Sequence, residues 1–295
     1  MAESGILVVD KPSGWTSHQV VGRCRRLLGT RKVGHAGTLD PMATGVLVIG
    51  VEKGTRLLGH LALTSKAYTA TVRLGQATST DDAEGELTSA AGARGLSAEA
   101  VAAALEPLRG DIVQVPSTVS AIKINGERAY ARARRGEDVT LPGRPVTVSR
   151  FDVLARHDTE ADGLAVVDLD VEVECSSGTY IRALARDLGG ALGTGGHLTA
   201  LRRIRVGGFD LAGALAPERL TADPPSPPDL IALAEVARRC FAHVSLTDDQ
   251  ARDVGFGRPL QLALSADPTA LLHHDRLLAL YRPEGDRAVA VAVLV

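Results

Sequence analysis

The order of hydrophobic and polar positions predicts a chain built from both strands and helices. Residues 6–9 and 46–51 are nearly continuous apolar runs, which are typical of short strands buried on both faces. Residues 66–74 instead alternate, so that Tyr68 and every second residue after it share one face of a strand. Similar patterns predict further strands at residues 145–154, 164–175, 198–209, 277–281 and 288–295.

Helical spacing occurs in fewer places. Apolar residues between Val20 and Leu28 fall on one arc of a helix that begins after Thr16 or Ser17 and ends at Gly29. Further helices are predicted at residues 54–63, 97–109 and 180–192, the last after a capping turn at 176–179, and a basic helix is predicted within 123–135.

Because these strands and helices do not alternate regularly, we expect an α+β fold with a mixed, largely antiparallel sheet flanked by helices. A chain of 295 residues allows one large domain and one small domain. Residues 222–229 are rich in proline and predict a linker between them. Residues 1–221 then form the large domain, and residues 230–295 form a small β-rich C-terminal module.

Composition excludes several classes of protein. No apolar run approaches the length that crosses a bilayer, and the N-terminal residues lack a signal-peptide pattern, so we expect a soluble cytoplasmic protein. Cys24, Cys175 and Cys240 lie far apart, with no CxxC pair and no short Cys/His cluster. This spacing argues against a zinc site and a disulfide framework, and it favours three small buried hydrophobes.

The charges are segregated although the net charge is only −2. Residues 11–39 contain six basic residues and no acidic one, and two more basic clusters lie within 123–135 and 182–205. Acidic residues gather at 81–86 and in the C-terminal part, where they compensate the basic clusters. Such segregation predicts a basic face that binds a phosphate backbone, although an arginine-rich chain can also form such clusters by chance.

The segment of residues 34–50 is the best candidate for chemistry. Small residues surround one carboxylate, Asp40, and the segment runs directly into an apolar strand. Because Pro41 follows, Asp40 is biased toward extended backbone at the mouth of a rigid turn. A carboxylate held in this way can act as a nucleophile or a base. The alternative is an ordinary tight turn, since Gly, Thr, Asp and Pro all favour turns.

Arg182 is a candidate partner for that carboxylate, which needs a cation to stay ionised in a dry site. It lies in the first turn of a predicted helix, on an otherwise apolar surface. An arginine there is costly to bury unless it meets a carboxylate. An ordinary structural ion pair is the other interpretation.

Three ring side chains each have a structural and a functional interpretation. Tyr68 and Tyr180 either pack in the core or stack on a base that has left its helix. His35 fits a hydrogen-bonding or wedge role in the loop, because no second metal ligand lies at a suitable spacing.

Two other classes of function fit parts of the chain. Residues 6–10 form a hydrophobic strand that ends in Asp10, as in phosphotransferases of the haloacid-dehalogenase type. That chemistry requires a second acid two residues later, where this chain has Pro12. A non-catalytic RNA-binding module would use the basic face and the C-terminal module and would not require Asp40.

Several separated motifs lie between about residues 5 and 210. They are Asp10-Lys11-Pro12-x-Gly14-x-Thr16-Ser17, the stretch from Lys32 to Leu47 around Asp40, residues 65–85 around Tyr68, residues 119–123 with Gly126 and Tyr130, residues 175–182, and residues 196–203. Together they resemble the TruB family of tRNA pseudouridine synthases, and they follow the family's order, which makes the resemblance specific.

The resemblance implies a pseudouridine-synthase core with a basic insertion at about residues 110–145 that grips RNA. It also implies a monomer that isomerises uridine 55 in the T loop of tRNA without cofactor, metal or membrane. Asp40 would be the catalytic aspartate, Arg182 its ion-pair partner, and Tyr68 a ring that stacks on the flipped base and helps remove its C5 proton. Lys11 would support the site, His35 would help to open the T loop, and Tyr180 and Leu201 would line the uracil pocket.

Two segments depart from the family's pattern. Residues 115–119 (Val-Pro-Ser-Thr-Val) replace a Pro-Pro-x-Tyr form found in many relatives, and the C-terminal module is only faintly similar to a PUA domain. The residues also leave three roles open for Asp40, which are attack on the base, attack on the sugar, and removal of a sugar proton.

Overall fold

The computed structural model describes residues 3–117, 141–223 and 225–295, together with the backbone of residues 123–124 and 127–128. The fold is α+β, with helices beside a large, mostly antiparallel sheet and a small sheet near the C-terminus. This confirms the predicted fold class. The basic helix predicted within 123–135 lies outside the described residues.

Helices and strands follow one another without a repeating unit. The helices are α1 (Ser17–Leu28), α2 (Leu58–Ala62), α3 (Ala98–Leu105), α4 (Ile181–Ala191), α5 (Leu233–Cys240) and α6 (Asp248–Gly255). The strands are β1 (Gly5–Lys11), β2 (Val33–Ala36), β3 (Thr44–Val51), β4 (Lys66–Leu74), β5 (Ala77–Thr78), β6 (Leu87–Ser89), β7 (Gly110–Gln114), β8 (Lys123–Ile124), β9 (Glu127–Arg128), β10 (Arg144–Ala161), β11 (Leu164–Cys175), β12 (Gly196–Val206), β13 (Phe209–Asp210), β14 (Ile231–Ala232), β15 (Ala242–Ser245), β16 (Thr269–His273), β17 (Arg276–Glu284) and β18 (Arg287–Val293). No helix among the described residues is both long and apolar enough to span a bilayer.

The chain forms two compact units that are not continuous in sequence. The first contains Met1–Pro41, Gly45–Leu63 and Arg205–Val295, and the second contains Met42–Thr44 and Thr64–Ile204. The small sheet of β15–β18 therefore clusters with the N-terminal strands. The domain boundary at 222–229 stays a prediction.

In the first unit, β1 is buried on both faces, as its apolar run predicts. It pairs antiparallel with β14 on one side and with β3 on the other. Ile6 and Val8 belong to one apolar cluster, whereas Leu7 and Val9 belong to another that includes residues of α1. The apolar run of β3 divides between the same two clusters in the same way.

Helix α1 begins and ends where its sequence predicts. The Thr16 side chain accepts a hydrogen bond from the Gln19 N–H, and the Gln19 side chain bonds back to the Thr16 N–H, which makes a capping box. Gly29 ends the helix with φ +63°, in the left-handed region that glycine adopts without strain. The predicted arc of the helix is buried, including Val20 and Cys24.

The second unit is built on strands in the order β12-β4-β11-β10-β7. The long strands β10 and β11 form one antiparallel hairpin, and β4 pairs with β11. Tyr68, Ala70, Val72 and Leu74 are buried on one face of β4, as the alternation predicts. On the other face, Arg73 donates two hydrogen bonds to Asp168, at 2.8 and 2.7 Å.

The C-terminal strands also agree with the sequence pattern. Strands β17 and β18 form an antiparallel hairpin around residues 285–286, and β15 adds to β16 in parallel. Cys24 and Cys175 are buried, as predicted, and Cys240 is half-buried. Burial raises the pKa of the Cys24 thiol to about 12, so this side chain acts as a hydrophobe.

Candidate active site

The turn that carries Asp40 is fixed through the residue on each side of it. The Ser17 hydroxyl accepts a hydrogen bond from the Leu39 N–H at 2.9 Å and donates one to the Leu39 carbonyl at 3.1 Å. On the other side, the Gly14 N–H donates to the Pro41 carbonyl at 2.8 Å. Asp40 itself is half-buried. The chain thus holds this carboxylate on a backbone that cannot easily move.

Lys11 joins the turn after β1 to the turn that carries Asp40. Its ammonium donates to the carbonyls of Trp15 at 2.6 Å, Pro12 at 2.9 Å and Pro41 at 3.1 Å. The residue is fully buried. An ammonium has three protons, and three carbonyl acceptors offset much of the cost of burying it. Lys11 therefore ties the turn after β1 to the backbone next to Asp40.

His35 lies on β2, whose partner strand β3 leads away from the Asp40 turn. It is paired in register with Ile49. Its ring meets the ring of His18 edge-on, with centroids 5.6 Å apart. His18 is exposed. Gly37 and Gly45 on either side of the turn have φ +85° and +100°, which a residue with a Cβ rarely adopts.

Tyr180 lies in the second unit at the start of α4. The sequence predicts a helix that begins at Tyr180 behind a capping turn, whereas the helix begins at Ile181 with Tyr180 as its N-cap. The Thr179 hydroxyl donates to the Ser176 carbonyl instead of capping the helix. Gln114 on β7 binds the backbone at the start of the helix instead. Its side chain accepts a hydrogen bond from the Tyr180 N–H at 2.8 Å and donates one to the Tyr180 carbonyl at 3.1 Å.

Arg182, the second residue of α4, is almost completely buried. Its Nε lies 3.4 Å from the Oδ2 of Asp82, which is equally buried, and its Nη1 donates to the Thr80 carbonyl at 2.7 Å. Asp82 is fixed in turn, because its Oδ1 accepts from the Thr80 hydroxyl at 2.5 Å and the Glu84 N–H at 3.1 Å. These contacts hold the guanidinium in one orientation.

A second ion pair lies beside the first. Arg186 is one turn further along α4, and its Nη1 is 3.3 Å from the Oδ2 of Asp81. The same oxygen accepts a hydrogen bond from the Ser117 hydroxyl at 2.6 Å. Burial raises the pKa of the Asp81 carboxyl, and Ser117 and Arg186 oppose that shift.

Sequence reasoning missed Asp81 and Asp82, which it counted among compensating surface acids. Their partners Arg182 and Arg186 are about 100 residues away in sequence, beyond the reach of any local pattern. The adjacent hydroxyl residues in Thr78–Thr80 were the available signal, because buried carboxylates need hydrogen-bond donors.

Leu201 is buried on β12, the strand next to the one that carries Tyr68. Two buried cations lie on the same strands, Arg203 on β12 and Lys66 on β4. The Lys66 ammonium donates to the Thr64 carbonyl at 2.9 Å. Burial lowers the pKa of Lys66 to about 8, and the positive charge of Arg203 makes a smaller contribution in the same direction.

Three family models match consecutive parts of the chain. The model of the TruB family pseudouridylate synthase N-terminal domain matches residues 25–181. The models of the tRNA pseudouridylate synthase B C-terminal domain and of the tRNA pseudouridine synthase II C-terminal domain match residues 182–223 and 241–295. The chain belongs to the TruB family. The resemblance inferred from the motifs is thereby confirmed, and pseudouridine synthases are isomerases.

Relatives within the TruB family are similar over nearly their whole length. The chain is 55% identical to a protein of Arthrobacter sp. (strain FB24) named tRNA pseudouridine synthase B, covering 98% of this chain and 92% of that protein. It is 57% identical to the protein of the same name from Nocardia farcinica (strain IFM 10152), covering 98% and 93%. Among solved structures, a Cbf5-Nop10-Gar1 complex matches with a TM-score of 0.71 and 24% identity over 99% of this chain and 85% of that one, which shows a shared fold.

The segment that departs from the usual TruB pattern takes part in the second unit's polar contacts. Ser117, which lies in the Val-Pro-Ser-Thr-Val stretch, is fully buried and donates to Asp81. The Val115 carbonyl accepts from Arg186 at 2.7 Å. Thr118 and Val119 lie outside the described residues.

Possible metal ligands gather elsewhere in this TruB-family chain. Asp248, His273 and His274 form such a group in the part of the chain that the structure describes. Local sequence spacing does not indicate this group, because the carboxylate comes from a helix 25 residues before His273.

Proposed function

We propose that this chain is a tRNA pseudouridine synthase that isomerises uridine 55 in the T loop. The observation that carries the proposal is the match to relatives named tRNA pseudouridine synthase B at 55–57% identity over nearly their full length. The anchored Asp40 turn supports it, because a carboxylate fixed from both sides suits attack or proton transfer at one defined atom.

The proposed reaction has a simple balance of atoms. The bond between C1′ of the ribose and N1 of the base breaks, the base turns, and a bond forms between C1′ and C5. The proton leaves C5 and a proton is taken up at N1, so there is no net oxidation or hydrolysis. Asp40 is the proposed catalytic carboxylate, and Arg182 is its proposed ion-pair partner.

The target base has to leave the stacked loop before this carboxylate can reach it. Tyr68 is proposed to stack on the base and to help remove its C5 proton, and Tyr180 and Leu201 to line the uracil pocket. We assign to His35 a part in opening the T loop. The family-model matches over residues 25–181 and 182–223 support these roles, because the four residues lie within the matched parts of the chain.

The basic clusters are proposed to bind the backbone of the T stem and loop. RNA loops are recognised through shape, phosphates and splayed bases, and arginine-rich surfaces suit that task. The partner of the chain is then tRNA, and one copy of the chain in the cytoplasm suffices for the reaction.

The test is to incubate the protein with an unmodified tRNA transcript and to analyse its nucleosides. We expect pseudouridine at position 55 with the natural chain, and no product with Asp40→Asn although RNA binding is retained. Asp223→Asn removes an equally negative but exposed side chain and serves as the matched control. Binding without isomerisation by the natural chain would contradict the proposal and favour a non-catalytic RNA-binding module.

A further inference from the structure

Three side chains with metal-binding atoms meet at one edge of the small C-terminal sheet. Asp248 is the first residue of α6, His273 is the last residue of β16, and His274 lies in the two-residue connection to β17. One ligand atom from each lies within 4.8 Å of the other two. The group thus brings two imidazoles and one carboxylate to a single point.

The contacts within the group are specific. The Nε2 of His273 lies 2.8 Å from the Oδ1 of Asp248, in a hydrogen bond that an ion bound between the two atoms would replace. The rings of His273 and His274 are 4.1 Å apart at their centroids, with their planes inclined at 51°. His274 has φ +51°, and this left-handed turn conformation places it beside its neighbour rather than on the opposite face of the hairpin.

We propose that Asp248, His273 and His274 bind a divalent transition-metal ion, with Zn²⁺ as the best fit. Imidazole nitrogen suits zinc, copper and nickel, whereas calcium and magnesium prefer sites made entirely of oxygen. Zinc binds such atoms at about 2.0–2.2 Å, so the hydrogen-bonded atoms of Asp248 and His273 have to move apart to admit the ion between them. The Asp248 side chain is 85% exposed and can move by that amount. Three protein ligands leave a fourth position for water.

Charged neighbours of the group are paired with one another. Asp249 pairs with Arg252 at 3.0 Å, and Asp275 pairs with Arg238 at 3.2 Å. The adjacent acids do not belong to the group of three and serve as comparisons.

A metal ion here would tie the start of α6 to the turn between β16 and β17. These elements come from different parts of the module, and the ion would join them without a disulfide. The proposed isomerisation makes no use of this site. We therefore expect metal binding to change the stability of the protein and not the chemistry at Asp40.

The test is a titration of the metal-free, untagged full chain with zinc chloride, followed by calorimetry at neutral pH. We expect one ion per chain, with affinity reduced at least about tenfold in Asp248→Asn and in His274→Gln, because each loses a direct ligand. Asp249→Asn and His243→Gln remove the same chemical groups from nearby exposed positions and should bind as the natural chain does. Equal affinity in all five proteins, or no binding to the natural chain, would overturn the proposal.

Two further measurements separate ligation from misfolding. Circular dichroism of the metal-free variants should match that of the natural chain, since the substituted residues are mostly exposed. Zinc should raise the melting temperature of the natural chain and of Asp249→Asn, but not that of His274→Gln. Cobalt should give the visible absorption of a four-coordinate site in the natural chain, and this band should be lost in His274→Gln.

Discussion

At the scale of single residues, two kinds of contact satisfy the buried charges described above, namely hydrogen bonds to backbone carbonyls and ion pairs with one another. Lys11 bonds to three carbonyls and fixes the Asp40 turn, while Asp82 fixes the guanidinium of Arg182. A mobile arginine would lose side-chain conformational entropy when it paired with the catalytic carboxylate. An arginine held by Asp82 and Thr80 has already lost that entropy on folding. Asp82 is therefore a positioning residue in the proposed reaction.

Replacing Asp82 by Asn should lower kcat by about a hundredfold, because small displacements of a catalytic partner are costly. KM should change much less, since Asp82 is proposed to act through Arg182 and not on RNA. Steady-state assays over a range of tRNA concentrations give both values. Asp82→Glu should recover part of the rate, and Glu86→Gln, an exposed acid in the same loop, should behave as the natural chain does. A change in KM alone would contradict the positioning role.

Lys66 gives a pH dependence with a defined sign. Its pKa is lowered from 10.5 to about 8 on folding, so the unfolded chain binds this proton more tightly than the folded one. Its contribution to the free energy of unfolding is therefore lowest and constant below pH 8, and it rises as the pH increases from 8 to 10.5. In urea unfolding, the free energy of unfolding of the natural chain minus that of Lys66→Met should increase over this interval. Lys32→Met, at an exposed lysine, should show no such trend. A decrease with pH in the value for the natural chain minus Lys66→Met would contradict the lowered pKa of Lys66.

At the scale of elements, the start of α4 depends on a strand distant in sequence. Gln114→Ala removes both hydrogen bonds to the Tyr180 backbone and should cost about 1–2 kcal/mol of stability, as the loss of a helix cap does. Denaturant unfolding measures this cost, with exposed Gln261→Ala as the control. Because Tyr180 is proposed to line the uracil pocket, KM for tRNA should also rise. Unchanged stability would show that water replaces the amide.

The start of α4 also shows which structural features local sequence patterns can predict. Periodicity located β1, β3, β4 and α1 correctly, because each buries a face that its own residues define. It misplaced the cap of α4 because the capping atoms belong to Gln114, 66 residues away. It likewise treated Asp81 and Asp82 as surface acids, because their burial depends on Arg182 and Arg186. Of the candidate site, local sequence predicted the turn at Asp40 but not the side chains that fix it.

At the scale of the whole molecule, the net charge of −2 conceals a segregation that bears on RNA binding. Each phosphate neutralised by a basic side chain releases counterions and adds about 0.7–0.9 to the slope of log affinity against log salt concentration. We therefore expect the affinity of the inactive Asp40→Asn protein for tRNA to fall steeply with salt, although the protein as a whole is slightly acidic. Filter binding at several salt concentrations measures the slope.

The basic cluster of residues 11–39 can then be tested by charge reversal. Arg26 is exposed on α1, so Arg26→Glu in the Asp40→Asn background should weaken binding and reduce the slope by about 1. Arg287→Glu removes an exposed charge of the same kind at the start of β18, outside the three clusters, and should leave the slope unchanged. Equal effects of the two reversals would mean that net charge, not the cluster, governs affinity. An unchanged slope in Arg26→Glu would remove α1 from the proposed RNA-binding face.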